Sequence, residues 1–235
     1  MTLGQHGPGT IEGAPSEYIN QVMDGEDAMY LFSPSFMPMA HTQTAYGRYA
    51  NRVHHTSFAE RFEITIGCDV SLTHRRIVFS NNYEDQRAVC VQTDGGSVPN
   101  KITTRNMTKV NQNDFWDLFQ GTRTIDWWDI MRAKTDRKKI TVMSDKLRTY
   151  TPKSVHGQAY NPKFYTKINK WYDFPDREAG GEDAIGSAWP GIKSPKIFIM
   201  DIFRSFKDTR DTTLFPKGEQ YWALSTEATN YWTEP

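Results

Sequence analysis

Asp126 and Asp129 stand three residues apart, a spacing that places both on one helical face, where one carboxyl can donate a proton while the other accepts. The plainer reading is a pair of acidic side chains near a helix N-terminus, favoured by the macrodipole. His54-His55 is the closest histidine pair. Neighbours in an extended chain point to opposite faces, so the two are poorly placed to share one metal ion. A solvated loop or a pH-sensitive contact is expected there instead. H-E-x-x-H, G-x-S-x-G and a tight H-x-H are absent. Between Gly186 and Ser194, Gly191-Ile192-Lys193 interrupts the G-K-[ST] junction of a phosphate loop and Pro190 removes a backbone donor, so this stretch reads as a turn. Cys68 and Cys90 form no C-x-x-C, which removes a zinc ribbon or redox motif and suits two reduced thiols in the cytoplasm or nucleus. Asn106-Met107-Thr108 has the form of a glycosylation triplet, read as coincidence because no secretory signal opens the chain. No catalytic residue, metal or cofactor is expected.

The basic residues carry the remaining chemistry. Net charge is zero, yet the first 47 residues hold five acids and no Lys or Arg, so the rest of the chain carries the compensating positive charge. Between Arg132 and Arg148, seven basic residues face only Asp136 and Asp145. Arg75-Arg76 opens a strand, so one guanidinium faces each sheet surface, and neither is expected to be fully buried. Arg132, Lys134, Arg137, Lys138 and Lys139 lie in or beside a connection leading into a strand. Charge runs are usually solvated loops; the functional reading is a phosphate-contacting patch with salt-dependent affinity. Trp127-Trp128 and Trp171-Tyr172 offer rings on which exposed bases could stack, although Trp at helical spacing is more often core.

The elements that must position these residues read as strands. Ala28–Phe32 is an apolar run, Arg61–Ile66 alternates strictly, and Arg75–Ser80 holds Ile77, Val78 and Phe79 together as in a strand covered on both faces. Lys139–Met143 and Lys146–Tyr150 flank Ser144-Asp145 as a hairpin. Phe164–Tyr172, Lys196–Phe203 (a central buried strand) and Tyr221–Trp232 follow. Asn113–Phe119 and Ile125–Met131 carry helical spacing. Residues 1–25, broken by Gly and Pro, read as a flexible N-terminal leader and 26–235 as one domain. The expected fold is all-β: a single eight-stranded antiparallel jelly-roll sandwich with short helices in the long central loops. No apolar run approaches the roughly 18 residues of a membrane-spanning helix.

Three ordered stretches carry a resemblance: Arg75-Arg76-Ile77-Val78-Phe79; then Thr124-Ile125-Asp126-Trp127 through Lys139-Ile140-Thr141-Val142 to Asp145-Lys146-Leu147-Arg148-Thr149; and finally Ala228 to Glu234. Together they resemble the capsid proteins of genomoviruses, the gemycircularvirus-like group of small circular single-stranded DNA viruses, over about residues 55–235. The resemblance implies a jelly-roll subunit that self-assembles into a T=1 icosahedral virion shell around single-stranded DNA, assembled in the host nucleus or cytoplasm. It implies non-specific DNA contact, which the basic residues would centre on Arg75, Arg76, Arg132, Lys134, Arg137, Lys138 and Lys139. Family members package DNA with an arginine-rich N-terminal arm, whereas this chain has no Lys or Arg before Arg48. Either an arm lies outside this sequence, or shell residues or host cations neutralise the genome. The alternative is a carbohydrate-binding, lectin-like jelly-roll module with surface Trp and Tyr as sugar platforms.

Overall fold

A computed structural model describes residues 9–11, 21–22, 27–37, 48–67, 70–88, 90–94, 101–105, 110–154, 156–175, 189–191, 193–205 and 221–235. Cys68, the Asn106-Met107-Thr108 triplet and residues 186–188 of the glycine-containing turn lie outside them, as does the Cys90 side chain.

In chain order the strands are β1 (Gly9–Ile11), β2 (Gln21–Val22), β3 (Ala28–Phe32), β4 (Arg52–Ile66), β5 (Leu72–Asn81), β6 (Cys90–Asp94), β7 (Lys101–Arg105), β8 (Thr141–Tyr150), β9 (Gln158–Tyr160), β10 (Lys163–Asp173), β11 (Lys196–Ser205) and β12 (Tyr221–Thr233). One sheet runs β1-β12-β4-β10, with β2 also on β12 and β9 also on β4; the second runs β3-β11-β5-β8; β6 and β7 pair separately. All pairings are antiparallel. The long-range pairs nest: β5 with β8 lies inside β4 with β10, inside β3 with β11, inside β1 with β12. Successive pairs fall in alternate sheets. The molecule is an all-β sandwich.

The alternation of Arg61–Ile66 sets the sheet-to-sheet core. Phe62, Ile64 and Ile66 are buried while Arg61 and Glu63 are exposed. Phe58 meets Phe32 across the sandwich at 5.4 Å between centroids, and Phe62 and Trp222 pack on Phe203. The second sheet is covered again on its far face. His74 and Arg76 of β5 point toward β4, whereas Arg75 reaches the carbonyl of Ile130 in the segment before β8. All ten residues of β5 are therefore buried, and the run Ile197-Phe198-Ile199-Met200 in β11 is buried for the same reason.

Four expectations need correction. Ser144-Asp145 is not a hairpin: β8 is one strand, and the break in the pattern is a bulge at Met143, between the pairs Val78–Ser144 and Phe79–Val142. Ile125–Met131 is a set of turns rather than a helix. Asp126 accepts a hydrogen bond from the Thr122 N–H (2.6 Å) and Asp129 one from the Met131 N–H (2.9 Å), side-chain bonds that compete with helical ones. Ile125 and Trp128 are consequently thrown outward, 78% and 76% exposed, while Trp127 and Met131 are buried. Asn113–Phe119 is helical but as a 3₁₀ helix, Gln112–Leu118, capped by Asn111. Finally, residues 1–25 contain β1 and β2, both hydrogen-bonded to β12, so this stretch is not a leader without regular structure.

Candidate nucleic-acid interface

Arg75 and Arg76 do face opposite sides of the second sheet, but both are buried, at 5% and 4% exposure, against expectation. Arg75 forms a two-pronged bond with Asp145 (2.9 and 2.7 Å) and donates to the Ile130 carbonyl. Arg76 pairs with Glu60 at 2.5 Å and lies 3.5 Å from Asp201, with its guanidinium over the rings of Phe164 and Phe62. His74 shares Asp201 at 2.7 Å. The reason is long-range: carboxylates 70 and 16 residues away in sequence supply counter-charges, and a paired charge tolerates burial that a lone one does not. These two guanidiniums are held inside the chain by its own carboxylates.

The 132–139 cluster sits on the surface. Arg132, Lys134, Arg137, Lys138 and Lys139 are exposed, while Met131, Ala133, Thr135 and Ile140 anchor the segment inward. Its backbone is fixed by the Gln120 N–H donating to the Lys134 carbonyl (2.7 Å) and the Asp136 N–H to that of Leu118 (2.8 Å). Arg132 lies 3.8 Å from Asp129 and Lys139 3.5 Å from Asp117, both exposed contacts of little energetic weight. Asp129 is turned instead to Arg204, whose Nη1 donates at 2.6 Å while its other nitrogens hold Asp27. These carboxylates push the Arg204 guanidinium to still higher pKa. Asp126 is held by a backbone N–H and Asp129 by Arg204, so the two do not share the helical face that their spacing suggested. Among the described residues no group of three or more His, Cys, Asp or Glu is placed to hold a metal.

His54 and His55 face opposite sides of the chain as expected, but they do so inside strand β4 and not in a solvated loop. His54 is partly exposed and stacks near Trp171 (4.8 Å). His55 is buried, its Nε2 2.5 Å from the Asn230 Oδ1, whose amide nitrogen donates to the Pro34 carbonyl. That amide orientation makes Nε2 the donor. Burial drives the His55 pKa down to about 3. Of the candidate stacking rings, Trp127 packs on Phe119 and Tyr172 is fully buried, whereas Trp128 and Trp171 are exposed. Burial raises the pKa of the Tyr172 hydroxyl.

Sequence reading missed a cleft along the seam between the two sheets, where their edge strands β8 and β10 lie. It has a volume of about 430 Å³ and is lined by Lys146 and Arg148 from β8, Lys163, Phe164, Tyr165 and Lys167 from β10, with His74 and Arg76 below. The four peripheral cations are exposed. The available signal was the period-two spacing of Lys146-x-Arg148 and of Lys163-x-Tyr165-x-Lys167, which puts each set on one side of its strand. Nothing local in the sequence says that the two strands come together. Comparison with known protein families finds no match, and comparison with curated protein sequences finds none either.

Proposed function

We propose that this chain is the shell-forming subunit of a small T=1 icosahedral virus capsid enclosing circular single-stranded DNA, with no catalytic activity of its own. The observation that carries the reading is the nesting of β5–β8 within β4–β10, β3–β11 and β1–β12, in alternate sheets. Four nested pairs rolled into two sheets make a double Greek key, the plan of a jelly roll, which capsid subunits share. Two of the stretches that carry the resemblance to genomovirus capsid proteins also meet in space: Arg75 of the first grips Asp145 of the second. The partners proposed are further copies of the chain and a single-stranded DNA genome held non-specifically. Light scattering of purified protein across salt and pH tests this: large closed assemblies support it, and a monodisperse monomer under every condition overturns it.

One observation favours the lectin-like alternative. Tyr165, Trp171 and Tyr231 are exposed on the outer face of the six-stranded sheet, where flat rings suit sugar faces. A glycan array separates the readings: specific glycan binding by a protein that never assembles selects the second.

A further inference from the structure

We infer that the β8–β10 cleft is a binding site for the phosphodiester backbone of single-stranded nucleic acid; the identity of that polyanion rests on the shell reading above. Four cations, Lys146, Arg148, Lys163 and Lys167, ring its mouth, and no carboxylate lines it. None of the four has a carboxylate ion-pair partner among the described residues. Unpaired cations around a concave, low-dielectric wall concentrate positive potential. The acidic side chains beneath, Glu60 and Asp201, are buried and already hold Arg76 and His74.

Two features select a nucleic-acid strand over a small anion. Tyr165, 68% exposed, stands at the rim beside Phe164, a flat surface on which a base stacks. The wall Lys163-Phe164-Tyr165 also borders a second, shallower depression of about 390 Å³ on the outer face of the six-stranded sheet, lined further by Ala59, Glu60, Arg61, Glu227 and Thr229. Two hollows sharing one wall suit a polymer crossing the β10 edge, with phosphates at the lysines and a base on Tyr165. The exposed cations of the 132–139 segment line neither of these two hollows.

The test uses the full chain and a fluorescent oligo-deoxythymidine, with affinity measured by anisotropy between 50 and 200 mM salt. Each single-strand phosphate contact contributes about −0.7 to the log–log salt slope. Lys163→Ala/Lys167→Ala therefore flattens the slope by about 1.4, and the affinity lost across that salt range shrinks about sevenfold. Tyr165→Ala weakens binding at least about fivefold with an unchanged slope, the mark of lost stacking. Both replace exposed side chains, and melting curves check that they fold. An unchanged slope in the double lysine variant overturns the site. So does equal binding of inorganic polyphosphate with no effect of Tyr165→Ala, which would leave a general anion site. Photocrosslinking of wild-type protein to a bromodeoxyuridine oligonucleotide gives a second readout. Adducts on 141–150 and 163–167 support the site, and adducts confined to 132–139 refute it. Particle formation is scored in parallel. Cleft-dependent binding without particles sinks the shell reading alone, and particles with cleft-independent binding sink this inference alone.

Discussion

Arg76→Leu removes the guanidinium that compensates Glu60 and Asp201, two carboxylates at 3% and 0% exposure. Removing one partner of a buried pair costs about 3–5 kcal/mol, because the opposite charge stays in a poorly polarisable interior. A domain of this size has roughly 5–15 kcal/mol in total. At about 2–4 °C per kcal/mol for chains of 150–250 residues, the midpoint should drop by about 6–20 °C. Arg76→Leu/Glu60→Leu removes both charges and should recover part of that loss, since well-packed apolar residues often replace such pairs at little cost. With Glu60→Leu alone as the remaining corner of a double-mutant cycle, the double variant should lose at least about 1 kcal/mol less than the sum of the two single losses. Lys146→Ala, at an exposed position on the neighbouring strand, is the control and should stay within about 0.5 kcal/mol. Urea unfolding at fixed protein concentration and neutral pH measures all four. If Arg76→Leu lies within about 1 kcal/mol of wild type, the guanidinium is solvated and free, and its exclusion from phosphate binding is wrong.

Deleting residues 221–235 removes a strand hydrogen-bonded on both sides, to β4 and to β1 and β2, together with buried Trp222 and Leu224. A buried Trp alone is worth about 3–5 kcal/mol, so the truncated chain should be insoluble or unfolded; a soluble product melting cooperatively would show that β12 is peripheral. His55 supplies a pH dependence. Its native pKa is held at about 3 by burial, against about 6.5 in the unfolded chain. Below pH 6.5 the unfolded state binds a proton that the folded state refuses. Stability is therefore undiminished above pH 6.5 and falls as pH drops, by about 2 kcal/mol at pH 5. Urea titrations at pH 7.5 and 5 should show that loss and His55→Asn should flatten it; identical profiles would mean that His55 titrates normally.

How far the sequence disclosed this molecule depended on whether the signal was local. Phe62, Ile64 and Ile66 declare one face of a strand by their spacing, and Ile197 to Met200 declare a strand covered on two faces. The first half of β4 escaped because Thr56 has no partner between the pairs Ser57–Tyr231 and His55–Trp232, and that bulge shifts the inward set from even to odd positions. Met143 does the same to β8, which read as two strands. β1 and β2 lie in a glycine-rich stretch without an apolar pattern, and backbone pairing with β12 places them. The site was harder for a related reason. Arg75 and Arg76 looked like surface cations because Asp145, Glu60 and Asp201 are distant in sequence. The cleft is assembled from edge strands of two different sheets, so its charge is divided between two segments that each look ordinary.

Electron microscopy of the purified full chain tests the shell assignment most directly. The nested sandwich and the ordered resemblance predict closed, uniform, roughly spherical particles whose averaged images obey T=1 icosahedral symmetry, formed without any added protein. Isolated monomers at every salt and pH tried, or open filaments that never close, would contradict it.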